Sequence, residues 1–378
     1  MTAFQSCGPS KRKGLTLWVG GTSSLARTYV NQFGTNNLVF TGVESTPPLW
    51  VTEHGIPYYS LDLTVLPKQA KVAEFLFERY PNIETIVVGV RPLLFAAHIH
   101  TRYHEFMVTG LQTLLGMACR SLKTLKFVLH ASSVAAVDHL QAQVLWNESS
   151  SHPLPDLSSY KAPYDLFKRR CEEEITEVCQ HQYNIPCCHL RLSAIFSDEY
   201  GCIQCSALEL QCRVGCYLPL RIDCNSSANV SRAMDAILSR AEQRQAQSSH
   251  GTEGNVNNIK TVYYYTRPFL LNQPVAYGYY LQEFRKAYSM YFVSVPVWLV
   301  TYFVALFHWL ASWNIYVGLP YVDATDYLLQ VSARDHCFDC SRFAQDFPSL
   351  EEESILECFV RRKAVLESYR TKTRGKRV

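Results

Sequence analysis

The sequence predicts an α/β fold, a doubly wound parallel sheet followed by a smaller C-terminal region. Three observations carry this. Short apolar runs suited to buried strands alternate with helical stretches through the first half of the chain. The first run, at 15–19, leads through Gly20 and Gly21 into a helix. A later helix carries Tyr164 and Lys168 one turn apart.

The 378 residues, 48% hydrophobic and 18% charged, suit one large domain or a nucleotide domain with a smaller partner. A net charge of +3 is too small to argue for a nucleic-acid partner. The 14 cysteines are scattered rather than set in a secreted framework. The polar, basic start (Lys11, Arg12, Lys13) runs straight into a strand, so no cleavable signal peptide, a reducing compartment and free thiols are expected.

LTLWV at 15–19 reads as a buried strand, and the small residues after it open a helix. Such a turn brings backbone N–H groups and a helix N-terminus up to a pyrophosphate. The spacing suits G-x-x-G-x-x-G, but only Gly20 is a glycine at its place; Ser23 and Ala26 hold the other two. Both are small enough for close approach, although a position needing positive φ would be strained. A βα turn without a ligand uses the same residues.

Residues 38–40 read as strand two. An acid at its end would bond the ribose hydroxyls of NAD, yet Thr41 and Gly42 stand there, with Glu44 a little later. No arginine follows at once to take a 2′-phosphate, so the choice between NAD and NADP stays open. A third strand at 56–61 precedes Asp62, which either meets an adenine edge or caps the helix at 68–80. IETIVVGV at 83–90 has the continuous apolar character of a strand covered on both faces. A helix at 105–121 follows, then a strand at 125–130 ending in Ala131, Ser132 and Ser133. Sheets of this kind bind ligands at the carboxyl ends of their strands. Ser133 either holds the same substrate oxygen as Tyr164 or closes a strand-end turn.

After a Pro/Ser-rich loop at 147–159 comes the helix of Tyr164 and Lys168, reaching to about 183. An ammonium one turn from a phenol favours the phenolate, which can exchange a proton with a substrate oxygen while a hydride moves at the same carbon. A chance Y-x-x-x-K on a solvated helix is the plain alternative. Residues 187–196 form the next strand. Cys202, Cys205, Cys212, Cys216 and Cys224 follow, but only Cys202/Cys205 has C-x-x-C spacing, repeated far away at Cys337/Cys340, so free thiols fit better than zinc. A helix at 228–242 and a surface loop at 245–258 come next.

Residues 296–313 (PVWLVTYFVALFHWLASW) are the most apolar stretch, with no charge beyond His308. Their length approaches a bilayer crossing, and Trp298, Trp309 and Trp313 suit an interfacial belt. A bilayer crossing, a buried core helix and a helix lying in one leaflet all fit these residues. The tail at 370–378 is basic and suits anionic lipid; Arg374 and Lys376 resemble a retrieval signal for the endoplasmic reticulum.

Taken in order, these blocks resemble the 3β-hydroxysteroid dehydrogenase/isomerase family of extended short-chain dehydrogenases. The likeness lies in LWVGGTSSLA, SLDLT, GLQTLLGMACRSLKTLKFVLHASSVAAV, APYDLFKRRCEEE, HLRLSAIF, KTVYYYTRP and DHCFDCSRFAQDFPSL. It implies a Rossmann-like nucleotide domain over 1–200 and a substrate-binding region over 201–378 that includes the apolar helix. It implies catalytic roles for Ser133, Tyr164 and Lys168, with Ser132 as fallback. It places cofactor contact at Gly20, Gly21, Ser23, Leu25, Ala26, Asp62, Val88 and Lys168, with NAD or NADP as cofactor. Leu192 and Ser197 depart from a family proline and glycine. The resemblance also implies a sterol or steroid substrate, a membrane surface of the endoplasmic reticulum, a cytosolic catalytic domain and a homodimer. An NAD(P)-dependent 3β-hydroxysteroid dehydrogenase is the first expectation, with a sterol 4-carboxylate among the substrates the resemblance implies. A non-catalytic scaffold with an eroded cofactor loop is the second, and a nucleotide-sugar epimerase the third.

Overall fold

The computed structural model describes residues 14–90, 101–137, 145–146, 156–160, 162–197, 216–217, 223–248, 261–267, 277–288, 293–294, 296–313, 315 and 337–374. Seven parallel strands form the main sheet among them. These are β1 (Leu15–Val19), β2 (Leu38–Gly42), β3 (Tyr58–Ser60), β4 (Ile83–Val88), β5 (Phe127–Ser133), β6 (Cys187–Leu192) and β7 (Val262–Tyr265), in the spatial order β7-β6-β5-β4-β1-β2-β3. The chain starts at β1, winds outward to β3, then returns to place β4 on the other side of β1. The order reverses between β1 and β4, and their carboxyl ends open the crevice where such sheets take ligands.

Parallel strands need covering on both faces, and the sequence alternation supplies two cores. Leu17, Val19, Ile86, Val88 and Val128 point to one face; Trp18, Phe40, Val87, Leu129 and Leu190 point to the other. The first face is covered by α3 (Leu66–Arg79), α4 (Thr101–Ser121) and α5 (Pro163–Ile175). The second is covered by α1 (Ser24–Phe33), the short α2 (Leu49–Glu53) and α6 (Ser227–Ser248). Next come α7 (Tyr277–Tyr288), the apolar α8 (Val297–Ser312), the short α9 (Ser341–Asp346) and α10 (Ile355–Arg374), which packs along α7.

The late segment closes on the main sheet. Phe343 and Phe347 pack on Tyr263 of β7, whose hydroxyl donates to Asp346 at 2.6 Å. The sheet therefore draws both its last strand and part of its cover from beyond residue 200.

Several boundaries differ from the sequence reading. Strand two continues to Gly42 because Thr41 and Gly42 pair with Tyr59 and Ser60 of β3. Strand five begins at Phe127 and keeps its pairing with β6 to Ser133. The run at 187–196 is two strands: after Leu192 the chain leaves the sheet at Ser193, whose hydroxyl donates to the Thr266 carbonyl, and Ala194–Phe196 pairs with Cys224–Ser226. The catalytic-helix candidate continues past Ile175 as a π-helical stretch, Thr176–Gln182. Helix α6 runs on to Ser248, into the stretch expected to be loop. Cys202, Cys205 and Cys212, the loop at 147–155 and most of 245–258 lie outside the described residues.

One glycine sets the spacing of two elements. Helix α4 lies so close to the turn at Leu63–Val65 that a Cβ on Gly110 would stand 1.9 Å from the Leu63 carbonyl oxygen. Gly110→Ala is expected to lower stability by about 1–3 kcal/mol by forcing the helix off that turn, read as a lower urea midpoint at unchanged m.

Candidate active site

The site is built at the carboxyl ends of β1, β4 and β5. The sequence leaves β1 through Gly20, whose φ of +82° only glycine adopts without cost. A Cβ there would also lie 3.0 Å from the Gly89 carbonyl oxygen, so the turn passes hard against the end of β4. Gly21 is needed for a different reason: a Cβ would enter the Phe40 ring, at 2.4 Å. The amides of both glycines donate to the Thr41 carbonyl, at 3.1 and 2.8 Å, which pins the turn to β2.

The two lost fingerprint glycines do not strain the chain. Ser23 sits at φ −68° and caps α1, its hydroxyl accepting from the Ala26 amide at 3.3 Å. Ala26 is an ordinary helical residue, fully buried where α1 meets the sheet, with Leu25 packed beside it. The positive-φ requirement falls on Gly20 alone in this turn, and there the glycine is kept. Gly20→Ala is accordingly expected to cost about 1–3 kcal/mol and to weaken dinucleotide binding. Gly34→Ala, at the positive φ of the α1 C-terminus with open space around it, is the control that strains the backbone away from the site.

The acid that strand two lacks in sequence arrives from further on. The Glu44 carboxylate accepts from Thr22 of the glycine turn at 3.4 Å and from the Tyr58 hydroxyl at 3.3 Å. A Cβ on Gly42 would touch it at 2.7 Å. Glu44 thus stands over the end of β2, where a ribose acid belongs. Burial and this carboxylate together push the Tyr58 phenol well above its usual range. Asp62 serves as a cap, its Oδ1 accepting from the Thr64 amide at 2.9 Å and hydroxyl at 2.8 Å. Val88 ends β4 fully buried between Val19 and His130.

Pro163 at the first helical position pre-sets the start of α5, which puts Tyr164 in its first turn and Lys168 one turn on. Tyr164 is nearly buried, and Lys168 is buried. The Lys168 ammonium donates to the carbonyls of Val90, at 3.1 Å, and Ala131, at 3.2 Å. It therefore bridges the ends of β4 and β5, the second of them two residues before Ser133. Ser133 closes β5, and its Oγ accepts from the Ala135 amide at 3.2 Å to cap a short turn that packs against α5. Lys168 and Ser133 thus stand at the end of β5, with Tyr164 one turn before Lys168 on the helix that packs against the turn Ser133 caps, and Gly20 and Glu44 lie past the ends of β1 and β2.

Ser132 faces the other way along the pleat and is committed elsewhere. It donates to Glu172 at 2.5 Å, and Glu172 also takes two bonds from Arg191, at 2.7 and 3.0 Å. Arg191 donates in turn to the Tyr264 hydroxyl at 2.8 Å. All four groups are buried. This network ties α5 to β5, β6 and β7. Of its members the sequence singles out only Ser132, as the fallback for Ser133, and the structure gives it this other task; Glu172 stands one turn after Lys168 on the same helix face.

Beneath it lie two buried imidazoles, His130 and His189, with their Nδ1 atoms 3.2 Å apart; His189 Nε2 lies 2.9 Å from the Thr176 hydroxyl. Burial pushes His189 down to about 4, with Glu172 opposing and Arg191 assisting. His130 is lowered too, by burial, then by Lys168 and His189. The unfolded chain takes up these protons first, so the contribution of His189 is complete above about pH 6.5 and is lost as pH falls toward 4. On the order of 3 kcal/mol is at stake at one site. The melting temperature is expected to fall between pH 7 and pH 5, and His189→Gln to flatten that fall.

Cys340 is buried and lies 3.4 Å from the Thr266 hydroxyl, and among the described residues no cluster of ligands suits a metal ion.

No family model and no curated protein matches the chain. Solved structures do. The terminal R domain from the myxalamid biosynthetic pathway superposes with a TM-score of 0.65 at 15% identity, covering 96% of this chain and 93% of that one. The UDP-glucose 4-epimerase of Bifidobacterium longum, solved with NAD+ and UDP, gives 0.63 at 10% identity, with 92% and 96% covered. The L-threonine dehydrogenase of Phytophthora infestans gives 0.59 at 12%, with 94% and 100% covered. The chain shares the Rossmann-like fold of these proteins over nearly its whole length.

Proposed function

We propose that the chain is an NAD-dependent oxidoreductase of the extended short-chain dehydrogenase type, oxidising a secondary alcohol on a sterol or steroid ring. The observation that carries this is the placement of Lys168. A buried ammonium fixed by two strand-end carbonyls, one of them two residues before Ser133, and one helical turn from Tyr164, suits proton exchange with an alcohol at the mouth of a nucleotide fold.

The residues present fit a dinucleotide. Gly20 and Gly21 allow a close backbone approach, and α1 offers its N-terminus to a pyrophosphate. Glu44 would bond the ribose hydroxyls and repel a 2′-phosphate, which favours NAD over NADP. When bound, the nicotinamide supplies the hydride acceptor. The chain's own residues do the rest. Ser133 spends an oxygen lone pair on the Ala135 amide and would donate its hydroxyl proton to the substrate oxygen. Tyr164 would take the hydroxyl proton from that oxygen. Lys168 would stabilise the negative charge that passes through the phenol oxygen. The preference for a sterol is supported by the sequence resemblance and by the apolar α8. A 4-carboxysterol would give a β-keto acid, which loses carbon dioxide without a further residue.

The test is a titration of full-length protein with NADH and NADPH, followed by turnover of 3β-hydroxysterols in detergent with NAD. Saturable NADH binding and sterol-dependent NADH formation are expected. Absence of binding of either dinucleotide overturns the reading in favour of a scaffold. Binding with turnover of a UDP-sugar instead overturns the substrate class.

A further inference from the structure

We propose that Cys119 and Cys179 form a peroxide-sensitive dithiol, which closes to a disulfide between the end of α4 and the extension of α5. Helix α4 delivers Cys119 in its last turn, beside Arg120. The π-helical stretch after α5 delivers Cys179. Cys171 and Ile175 are buried four residues apart on α5, and Val178 and Cys179 carry the same apolar stripe into the wider turns. This stripe shares one core with Leu115, Ala118 and Leu122 of the α4 end, and Cys119 packs against that core. The two thiols meet there and share a hydrogen bond. The backbone on each side is held. The Ile185 amide donates to the Cys179 carbonyl at 2.7 Å, and the Leu122 amide to the Ala118 carbonyl at 2.8 Å. Rotation of the two side chains is therefore what brings the sulfurs to the roughly 2 Å of a disulfide.

The two thiols are not equivalent. Of the cysteine side chains described, Cys119 alone is not buried, so an oxidant reaches it first. Its hydrogen bond with Cys179 lowers the Cys119 pKa; burial opposes, and the Arg120 guanidinium assists. The same bond, and then burial, push the Cys179 thiol far up. The proton of the pair thus stays on Cys179 and the thiolate forms at Cys119, which is the form that attacks an oxidant. Cysteines packed only as small apolar groups are raised by burial instead, as Cys171 and Cys188 are. Cys187, the first residue of β6, also acts on Cys179. Its own thiol is buried, is pushed up to about 11 by that burial, and donates to Gln180 Oε1 at 3.9 Å.

The oxidant is a hydroperoxide. The Cys119 thiolate attacks one peroxide oxygen; an S–O bond forms, the O–O bond breaks, and the departing hydroxide takes up the proton that Cys119 gave up. The Cys179 sulfur then attacks the sulfur of the sulfenic acid. The S–S bond forms, the S–O bond breaks, and hydroxide leaves with the Cys179 proton as water. The two thiols lose two electrons, and one hydrogen peroxide becomes two waters. Where thiols are otherwise kept reduced, such a bond is a transient signal rather than a permanent staple. The inference does not depend on the catalytic reading.

The test treats reduced full-length protein with hydrogen peroxide, blocks the remaining thiols and maps the digest without reduction. A linked pair of peptides carrying Cys119 and Cys179 is expected, reversed by dithiothreitol. Cys119 should be consumed about tenfold faster than Cys171 or Cys188. Cys179→Ser should leave a sulfenic acid on Cys119 that dimedone traps, Cys119→Ser should leave Cys179 reduced, and Cys187→Ser should form the bridge as the wild type does. The bridge joins 119 to 179 in the unfolded chain as well, so oxidation should raise the melting temperature of the wild type and leave that of Cys119→Ser unchanged. Wild-type protein in which peroxide gives no link, or links Cys179 to Cys187, overturns the proposal. So does oxidation spread evenly over the cysteines.

Discussion

A Tyr164→Phe variant is expected to lose about 10²- to 10⁴-fold in turnover of alcohol with NAD while binding NADH as the wild type does. The ring keeps its place in the first turn of α5, after Pro163, so the fold is not disturbed. The proton carrier is lost. Lys168→Met is expected to match that loss and also to weaken dinucleotide binding. Its ammonium bridges the carbonyls of Val90 and Ala131, and without it two buried acceptors at the strand ends lose their partner. Ser133→Ala should lose less, because Tyr164 and Lys168 still handle the proton, and Ser132 cannot substitute while it is bonded to Glu172. Rates measured under saturating NAD, beside the Kd for NADH, separate these outcomes. Full turnover in Tyr164→Phe would end the proposed mechanism.

The largest effect on stability is expected at Arg191. Arg191→Met strands the Glu172 carboxylate in the interior with Ser132 as its remaining hydrogen-bond donor in the network. Removing one partner of a buried pair costs about 3–5 kcal/mol, to be read from urea unfolding. The double variant Glu172→Met/Arg191→Met should be more stable than the single one, since no charge is left buried.

The pH dependence supplies an independent check. Burial alone would raise the Glu172 acid, but the Arg191 guanidinium beside it wins and holds it at about 2, against an ordinary 4.5. A depressed carboxylate contributes stability above the unfolded value, and that contribution is lost as pH falls from about 4.5 toward 2. In Arg191→Met the sign reverses, because a lone buried carboxylate prefers to be protonated. The stability gap between wild type and variant should therefore narrow as pH is lowered from neutral. A gap that widens would show that Glu172 is not the stranded charge. Because the pair also holds the helix that carries Lys168, a drop in kcat at unchanged Kd for NADH is expected in whatever fraction of the variant stays folded.

Much of the fold could be read directly from residues. Buried parallel strands announce themselves as unbroken apolar runs such as IETIVV, and amphipathic helices as 3.6-residue periods between them. Strand ends were less clear. Thr41, Gly42, Ser132 and Ser133 are polar or small, and they belong to strands only because β3 and β6 pair with them.

At the site, Gly20, Tyr164, Lys168 and Ser133 could be named from local spacing. Glu44 was visible a little after strand two, but its place over β2 was not, because that depends on Tyr58 and Thr22, which come from two other parts of the chain. The concern raised by Ser23 and Ala26 disappears for a backbone reason. Neither position adopts positive φ, a fact no residue type reveals by itself.

By itself, then, the sequence determined the order of strands and helices, the small-residue turn after the first strand and the Tyr164/Lys168 helix. Each of these is written in spacings of a few residues, where propensity and periodicity act. Only the tertiary structure decided that Lys168 joins two strand ends, that Ser132 serves Glu172 while Ser133 closes the strand, and that Glu44 returns to the glycine turn. It also decided that the apolar segment keeps its tryptophans outside. Those outcomes rest on contacts between residues tens to hundreds of positions apart, where burial and hydrogen bonding select one partner among many of the same type.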